Sequence, residues 1–132
     1  MNFSRLMTGF VCGVFALVLG VSPAAAANDL EKAQQAFDQA QADYVAEKFD
    51  EASDGFLKAF SARPFPQFLY NAAAAQHMKG KKKADAAAYD KAIEYYKKYL
   101  DADKAAADRA KVEKIVAVLQ TESARLKALP AA

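Results

Sequence analysis

The apolar positions of the chain follow two different patterns. Between Gly9 and Val21 they form a nearly continuous run, interrupted by glycines and one cysteine. From residue 28 onward they recur at steps of three and four, which is the period of an amphipathic helix. The pattern after the run predicts five helices and no strands, so we expect an all-α fold.

The first amphipathic stretch predicts a helix that begins at Asn28 and ends near residues 47–48. Asn28 can cap this helix, and Glu31 stands three residues further on, as in a capping box. Along one face of the helix, the apolar residues are spaced by three or four positions. They are Leu30, Ala33, Phe37, Ala40 and Tyr44.

Prolines and a glycine mark the ends of the next two predicted helices. The second helix begins near Phe49 and ends before Pro64, because proline cannot continue a helix. Residues 63–66 contain two prolines and form a stiff connector. The third helix is predicted from Gln67 to a turn at Gly80.

The fourth helix is predicted from residue 89 to residue 100. Residues 81–88 contain strong helix formers without an apolar stripe, so the pattern leaves open whether they lengthen this helix or form a loop. Residues 101–103 can cap a fifth helix, which Pro130 ends. The apolar stripe of the fifth helix consists of Val112, Ile115, Val116, Leu119 and Leu126.

The second helix carries the spacing Ala-x3-Phe-x2-Ala-x4-Pro, formed by Ala52, Phe56, Ala59 and Pro64. Small residues let two helices approach closely, an aromatic ring fills the groove between them, and the proline stops the helix. This spacing resembles the second helix of a tetratricopeptide repeat. The resemblance implies an all-α fold with about two helix-turn-helix repeats. The fifth helix would then cap the open apolar edge.

Other parts of the chain match the family less closely. Ala92, Tyr96 and Tyr99 follow a similar spacing in the fourth helix, but the segment before them is seven residues longer than the family pattern. In the first helix, Gln39 and Asp43 stand where the family usually has apolar or aromatic residues. The first helix is therefore a degenerate match, and the second helix carries the resemblance.

The beginning of the chain has the layout of a secretory signal peptide. Arg5 places a positive charge ahead of the apolar run, and Ser22-Pro23 ends that run. The alanines at 24–27 offer a small-residue cleavage site. We predict a signal peptide at 1–27 and a helical domain at 28–132, with no stable membrane span after cleavage. The predicted location is a bacterial periplasm or cell envelope, and secretion beyond it stays open.

Charge and reactive side chains argue against an enzyme or a nucleic-acid-binding protein. The formal charge is only +2, which is too small for a nucleic-acid footprint. The single cysteine, Cys12, lies in the predicted signal peptide. The single histidine, His77, has no Cys, Asp or Glu three or four residues away to complete a metal pair. We expect no catalytic residue, no metal site and no cofactor.

The family resemblance implies a protein-binding groove lined by the first helix of each repeat. A groove of this kind holds a peptide or a helix of another protein. The leading hypothesis is therefore a non-enzymatic scaffold or adaptor, whose protein partner the sequence does not identify. The implied groove residues are Gln34, Phe37, Gln41, Tyr44, Tyr70, Ala74, His77 and Met78.

A lysine cluster supports a second hypothesis. Lys79, Lys81, Lys82 and Lys83 surround the predicted turn. The cluster is either a solvated turn or a basic patch for an acidic partner, an anionic lipid or a polyanionic surface polymer. In the latter case the protein is a structural or envelope-surface-binding protein. Two repeats are also fewer than the three usually required for a continuous core, so we expect self-association or a bound partner.

Four tyrosines fall in the fourth predicted helix: Tyr89, Tyr95, Tyr96 and Tyr99. Tyrosine can bury its ring and keep its hydroxyl in water, so packing between helices accounts for most of them. A small-molecule carrier that stacks its ligand on these rings is the third hypothesis.

Overall fold

The computed structural model describes residue 20 and residues 22–131. In these ranges the chain forms five helices and no strand, which confirms the predicted fold class. The helices are α1 (Pro23–Val45), α2 (Phe49–Ala62), α3 (Pro66–Lys83), α4 (Ala86–Ala102) and α5 (Arg109–Lys127). Apart from Gly20, the apolar run assigned to the signal peptide lies outside the described residues.

Each helix packs against the next one in the chain. The helices are connected by residues 46–48, 63–65, 84–85 and 103–108. Because these connections are short, neighbouring helices run antiparallel. This is the stacked helix-pair arrangement that the sequence predicts.

The helices form two layers. Phe37 of α1 contacts Phe68 of α3, with ring centroids 5.7 Å apart. On the other side, Tyr95 of α4 packs against the buried cluster around Phe56 of α2. We call α1, α3 and α5 the odd layer, and α2 and α4 the even layer.

Helices α1 and α2 approach closely because small residues face each other. Ala40 of α1 and Ala52 of α2 are fully buried, and Gly55 of α2 lies against Ala40. A Cβ atom at Gly55 would lie only 2.8 Å from the Cβ of Ala40. Phe56 fills the space beside this contact. These positions agree with the roles that the spacing assigns to Ala52 and Phe56.

Two buried polar side chains join α2 to α3. The Ser53 hydroxyl donates to the carbonyl oxygen of Ala72 (3.1 Å), and Nε2 of Gln76 donates to Oδ1 of Asp50 (3.0 Å). Burying a polar group is costly unless it is hydrogen-bonded, so these bonds favour one alignment of the two helices. The other amide atom of Gln76, Oε1, has no hydrogen-bond partner among the described residues.

The predicted turn at Gly80 is wrong. Helix α3 continues through Gly80 to Lys83, and the chain turns at Ala84, whose φ of 50° is left-handed. Gly80 is buried because the ring of Tyr89 packs directly on it, and a Cβ there would lie 2.5 Å from Cδ1 of that ring. The glycine therefore permits close helix packing and leaves the turn to Ala84.

The structure also answers the open question about residues 81–88. They are helical except for the turn at 84–85, so the segment lengthens both α3 and α4. Asp85 caps α4, since its Oδ1 accepts a hydrogen bond from the backbone N–H of Ala88 (3.0 Å). The fourth helix consequently begins three residues earlier than predicted.

Two predicted helix caps are not formed. Helix α1 begins at Pro23, so Asn28 lies inside the helix and does not cap it. Proline suits the first helical position, because its missing N–H would have no partner there. Helix α5 begins at Arg109, and residues 101–103 instead belong to the end of α4.

Helix α5 covers the apolar edge of α4, as predicted for a capping helix. Val112, Val116 and Leu119 are buried, as the apolar stripe indicates. Near the end of α5, the Ser123 hydroxyl donates to Oδ1 of Asp90 on α4 (2.6 Å). Both apolar and polar contacts therefore fix α5 on α4.

Candidate functional site

The predicted groove residues all lie on α1 and α3, in the odd layer. Gln34 and Gln41 are exposed, and Gln34 donates to Asp38 one turn further on (2.8 Å). The other members are half-buried. They are Phe37, Tyr44, Tyr70, Ala74, His77 and Met78.

The aromatic members on α1 take part in packing. The ring of Phe37 lies 5.7 Å from the rings of both Phe56 and Phe68. The ring of Tyr44 meets Phe49 edge-on at 5.7 Å. These side chains therefore join helices and offer only part of their surface to a partner.

The tyrosines of α4 are mainly core residues. Tyr89, Tyr96 and Tyr99 are buried, and Tyr70 of α3 meets the rings of Tyr96 and Tyr99 edge-on at 5.4 and 5.5 Å. Burial raises the pKa of Tyr96 above its usual range. The hydrogen bond from Tyr99 to Asp108 (2.7 Å) raises the pKa of Tyr99 to about 12. The three buried rings thus provide no exposed stacking platform of the kind the small-molecule-carrier hypothesis requires.

His77 lies against the tyrosine core on the inner side of α3. Its ring centroid is 6.3 Å from that of Tyr89 and 6.2 Å from that of Tyr96, and its Nδ1 lies 3.3 Å from the Tyr96 hydroxyl. Burial lowers the pKa of His77, and the positive charge of Lys81 lowers it further. The imidazole is therefore favoured in its neutral form.

An apolar cleft lies between α3 and α5, beside His77. It has a volume of about 260 Å³ and apolar walls from Ile115, Val118 and Leu119. Lys111 and Lys114 complete its lining. Leu119 is buried, whereas 60% of the Val118 surface is exposed. We call this feature the α3–α5 cleft.

The sequence predicts only His77 of this cleft as a site residue, and it predicts Ile115 and Leu119 as members of the buried stripe of α5. Val118 is a large apolar residue outside the stripe of Val112, Ile115, Val116, Leu119 and Leu126. A single exposed apolar residue is common on protein surfaces, so Val118 alone does not identify the cleft.

A larger cleft of about 540 Å³ lies between α1 and α2. Its floor contains Ala36 and Gly55, and its walls are formed by exposed polar and charged side chains such as Lys32, Gln39 and Lys58. No buried polar side chain faces it to orient a ligand, and it has no aromatic lining. Specific sites combine apolar walls with a few fixed polar groups, so the smaller α3–α5 cleft is the better candidate.

The lysine cluster forms the last turn of α3. Lys79 forms ion pairs with Asp50 (2.6 Å) and Asp85 (3.7 Å), and Lys82 pairs with Glu47. The hydrogen bond from Lys79 lowers the pKa of the Asp50 carboxyl. Cations also interact favourably with the C-terminal end of a helix dipole. Local carboxylates therefore offset two of the four charges.

The other two lysines of the cluster, Lys81 and Lys83, are exposed and form no ion pair within residues 22–131. Lys81 follows His77 by one helical turn, and its charge acts on the imidazole that lines the α3–α5 cleft. The charge available to a partner is therefore smaller than the run of lysines suggests.

Similarity to known proteins, membrane-spanning helices and metal-binding clusters identify no further site in the described part of the chain. No protein-family model, curated protein or solved structure matches the chain. No described helix combines the length and the apolar character that crossing a membrane would require. Among the described residues, no three His, Cys, Asp or Glu side chains are grouped closely enough to hold a metal ion. The tetratricopeptide resemblance thus stays a prediction based on spacing.

Proposed function

We propose that this chain is an exported, non-enzymatic adaptor of the tetratricopeptide type that binds another protein through its odd layer. The observation that carries the proposal is the α3–α5 cleft, whose apolar walls are open to solvent beside the half-buried His77. The proposed location, a bacterial periplasm or envelope, follows from the signal-peptide pattern of residues 1–27.

The size of the cleft favours a protein partner over a small molecule. Small-molecule sites usually measure about 300–1,000 Å³ and enclose most of their ligand. At about 260 Å³, the α3–α5 cleft is smaller than that range. It suits one or two side chains that project from a larger partner, which is how a peptide or helix anchors in a groove.

The odd layer also offers polar groups next to the apolar cleft. Gln34 and Gln41 are exposed on α1, and Met78 is half-buried on α3. Methionine adapts its shape to different partners, and exposed amides can donate and accept hydrogen bonds. A partner that spans α1, α3 and α5 would find anchoring and orienting groups on one side of the molecule.

The alternative, a structural or surface-binding role through Lys79–Lys83, is less well supported. Lys79 and Lys82 are already paired with carboxylates of the same chain. A polyanion would have to compete with those carboxylates before it gained the full charge of the cluster. The odd layer requires no such exchange, so we place the function there.

Affinity capture from the protein's own cells tests the proposal. The chain would be crosslinked in an envelope extract beside a Gln41→Glu/Val118→Glu variant, which changes exposed residues on α1 and α5. These positions are preferable to Tyr44 and Tyr70, because both tyrosines also pack between helices. We expect one dominant protein that is captured by the wild type and lost with this variant.

A matched control lowers the net charge of the protein by the same amount through changes in the even layer. Lys91→Ala/Lys97→Ala changes two exposed lysines of α4 that form no ion pair in the described chain. This control should retain the partner. If the wild type captures no specific protein, or both variants retain it equally, the odd layer is not the binding surface and the proposal is wrong.

A further inference from the structure

Three lysines without an ion-pair partner in the described chain lie on the two helices that form the α3–α5 cleft. Lys111 and Lys114 line the cleft from α5, and Lys81 lies one turn beyond His77 on α3. None of the three forms an ion pair within residues 22–131. Lys91 and Lys97 of α4 are also unpaired in the described chain, but Lys111 and Lys114 differ from them because they line an apolar cleft.

The carboxylates of α5 do not neutralise these lysines. The helix contains two acidic residues, Glu113 and Glu122. Glu113 pairs with Arg109 (3.4 Å) and Glu122 with Arg125 (2.8 Å). Positive charge therefore remains at the rim of a cleft whose floor is apolar.

We propose that the α3–α5 cleft binds an acidic amphipathic segment of a partner protein. An apolar side chain of that segment would lie on Ile115 and Val118, and its carboxylates would pair with Lys81, Lys111 and Lys114. Charge complementarity identifies the chemical class of the partner, since acidic side chains would neutralise the rim as the apolar anchor fills the floor. This inference rests on the proposed adaptor function and specifies its partner.

The dimensions of the cleft favour a protein segment over a membrane surface. A lipid-binding surface needs a broad apolar face, whereas here Val118 is the one strongly exposed apolar residue of the cleft. Three lysines without a broad apolar face would bind an anionic membrane only weakly. A narrow cleft with a charged rim instead suits one anchoring side chain flanked by carboxylates.

His77 supplies a specific reporter of the cleft. It is the only histidine in the chain, so its ring resonances can be assigned without ambiguity. Its ring lies beside Ile115 and Val118 in the cleft lining. A segment that docks there will change the surroundings of the imidazole, and a ligand carboxylate nearby will raise its pKa. The purified chain must therefore carry no polyhistidine tag.

Three synthetic peptides, each about four helical turns long, test the inference. The first has leucines at helical spacing and glutamates elsewhere, the second replaces the glutamates with lysines, and the third replaces the leucines with glutamines. We expect the first peptide to bind and to shift the His77 resonances. The other two should bind at least about tenfold more weakly, because each lacks one of the two required features.

Charge-reversal variants locate the binding. Lys111→Glu/Lys114→Glu should weaken the acidic amphipathic peptide by about tenfold or more, since two attractions become repulsions. The control Lys91→Glu/Lys97→Glu makes the same charge change on α4 and should alter affinity by less than about twofold. Equal binding of acidic and basic peptides, no binding of the acidic peptide, or equal loss in both variants would overturn the inference.

Two further measurements separate this inference from competing explanations. Vesicles rich in anionic lipid should bind the chain no more tightly than the acidic peptide does. Tighter binding to the vesicles would show that the cleft is a membrane-binding surface. If a partner captured from the extract is lost with Gln41→Glu/Val118→Glu but retained by Lys111→Glu/Lys114→Glu, the inference fails and the adaptor function stands. If the wild type captures no partner, the adaptor function itself fails.

Discussion

The helix pairs α1–α2 and α3–α4 both place a glycine where their helices are closest, but the two glycines meet different neighbours. At Gly55, an added Cβ would meet the Cβ of Ala40 at 2.8 Å and its Cα at 3.3 Å. At Gly80, it would meet three ring atoms of Tyr89 at 2.5–2.9 Å. The first approach is limited by a Cβ atom that is fixed to its helix backbone, whereas the second is limited by the ring of a longer side chain.

The neighbours of the two glycines also differ in whether they contact the candidate site. Tyr89 packs on Gly80 and also faces His77, which lines the α3–α5 cleft. The contact of Gly55 with Ala40 belongs to another buried cluster, which contains Phe56 and the α3 alanines Ala72 and Ala75 but neither Tyr89 nor His77. A change in the α3–α4 pair should therefore affect stability and the cleft together, and a change in the α1–α2 pair should affect stability alone.

The largest expected effect comes from removing one aromatic ring from each pair. Phe56→Ala and Tyr96→Ala should each lower the free energy of unfolding by about 3–4 kcal/mol, because each leaves a cavity in a buried cluster. Urea unfolding measures both losses. In the still-folded population, only Tyr96→Ala should move the His77 resonances, and a similar shift with Phe56→Ala would contradict the separation of the two pairs.

Filling the glycine positions should give a smaller loss. Gly55→Ala and Gly80→Ala should each lower the free energy of unfolding by about 1–2 kcal/mol, since overpacking outweighs the better helix propensity of alanine. Thermal and urea unfolding of the single variants measure these values. An increase in stability would show that the helices separate without cost.

A second change at the neighbouring residue, Ala40 or Tyr89, tests which atoms oppose the added methyl group. Tyr89→Leu removes the ring, so most of the additional loss caused by Gly80→Ala should disappear in that background. Ala40→Gly removes the Cβ contact at 2.8 Å but leaves the Ala40 Cα at 3.3 Å, so part of the loss caused by Gly55→Ala should remain in that background. Double-mutant cycles measure both couplings, and equal relief in the two pairs would contradict the distinction.

The histidine provides a pH-dependent prediction. Burial and Lys81 lower the pKa of His77 in the folded state, so the unfolded chain binds a proton more readily. The contribution of His77 to stability should therefore be complete above the unfolded pKa of about 6.5 and decrease as the pH falls through that value toward the folded pKa. Unfolding curves of wild type and His77→Gln between pH 7.5 and about 5 measure this difference. If the stabilities of wild type and His77→Gln change in parallel with pH, His77 does not cause the pH dependence.

The smallest effect is expected at the surface. Lys82→Ala removes an exposed ion pair with Glu47 and should leave the free energy of unfolding almost unchanged. Salt should reduce even a small difference, since exposed charges are screened. Unfolding at low and high ionic strength measures the effect. A clear loss of stability at both ionic strengths would show that the pair has a structural role that its exposure does not suggest.

Apolar spacing predicted the helices well because it reflects which side chains face the core. Ala52, Phe56 and Ala59 are all buried, as their spacing indicates. Helix ends were less predictable, because they depend on tertiary contacts. Glycine is typical of turns, but Gly80 lies inside α3 with the ring of Tyr89 packed on it. The chain turns instead at Ala84, which has a positive φ.

The candidate site was predicted only in part, because a cleft between two helices is not a property of either helix. The periodicity of α5 identified its buried stripe but contained no information that Ile115, Val118 and Leu119 lie beside His77. Likewise, the run Lys79–Lys83 appeared as one basic patch, since the sequence does not show that Asp50 and Glu47 lie next to it. Long-range packing determines both features.

The most direct test of the central claim is a map of amide chemical shifts on the isotopically labelled chain. The partner recovered by affinity capture would be added, and the perturbed residues would be placed on the helices. Binding through the odd layer predicts shifts concentrated on α1, α3 and α5, with His77, Ile115 and Val118 among the largest. Shifts concentrated on α2 and α4, or confined to Lys79–Lys83, would contradict the account.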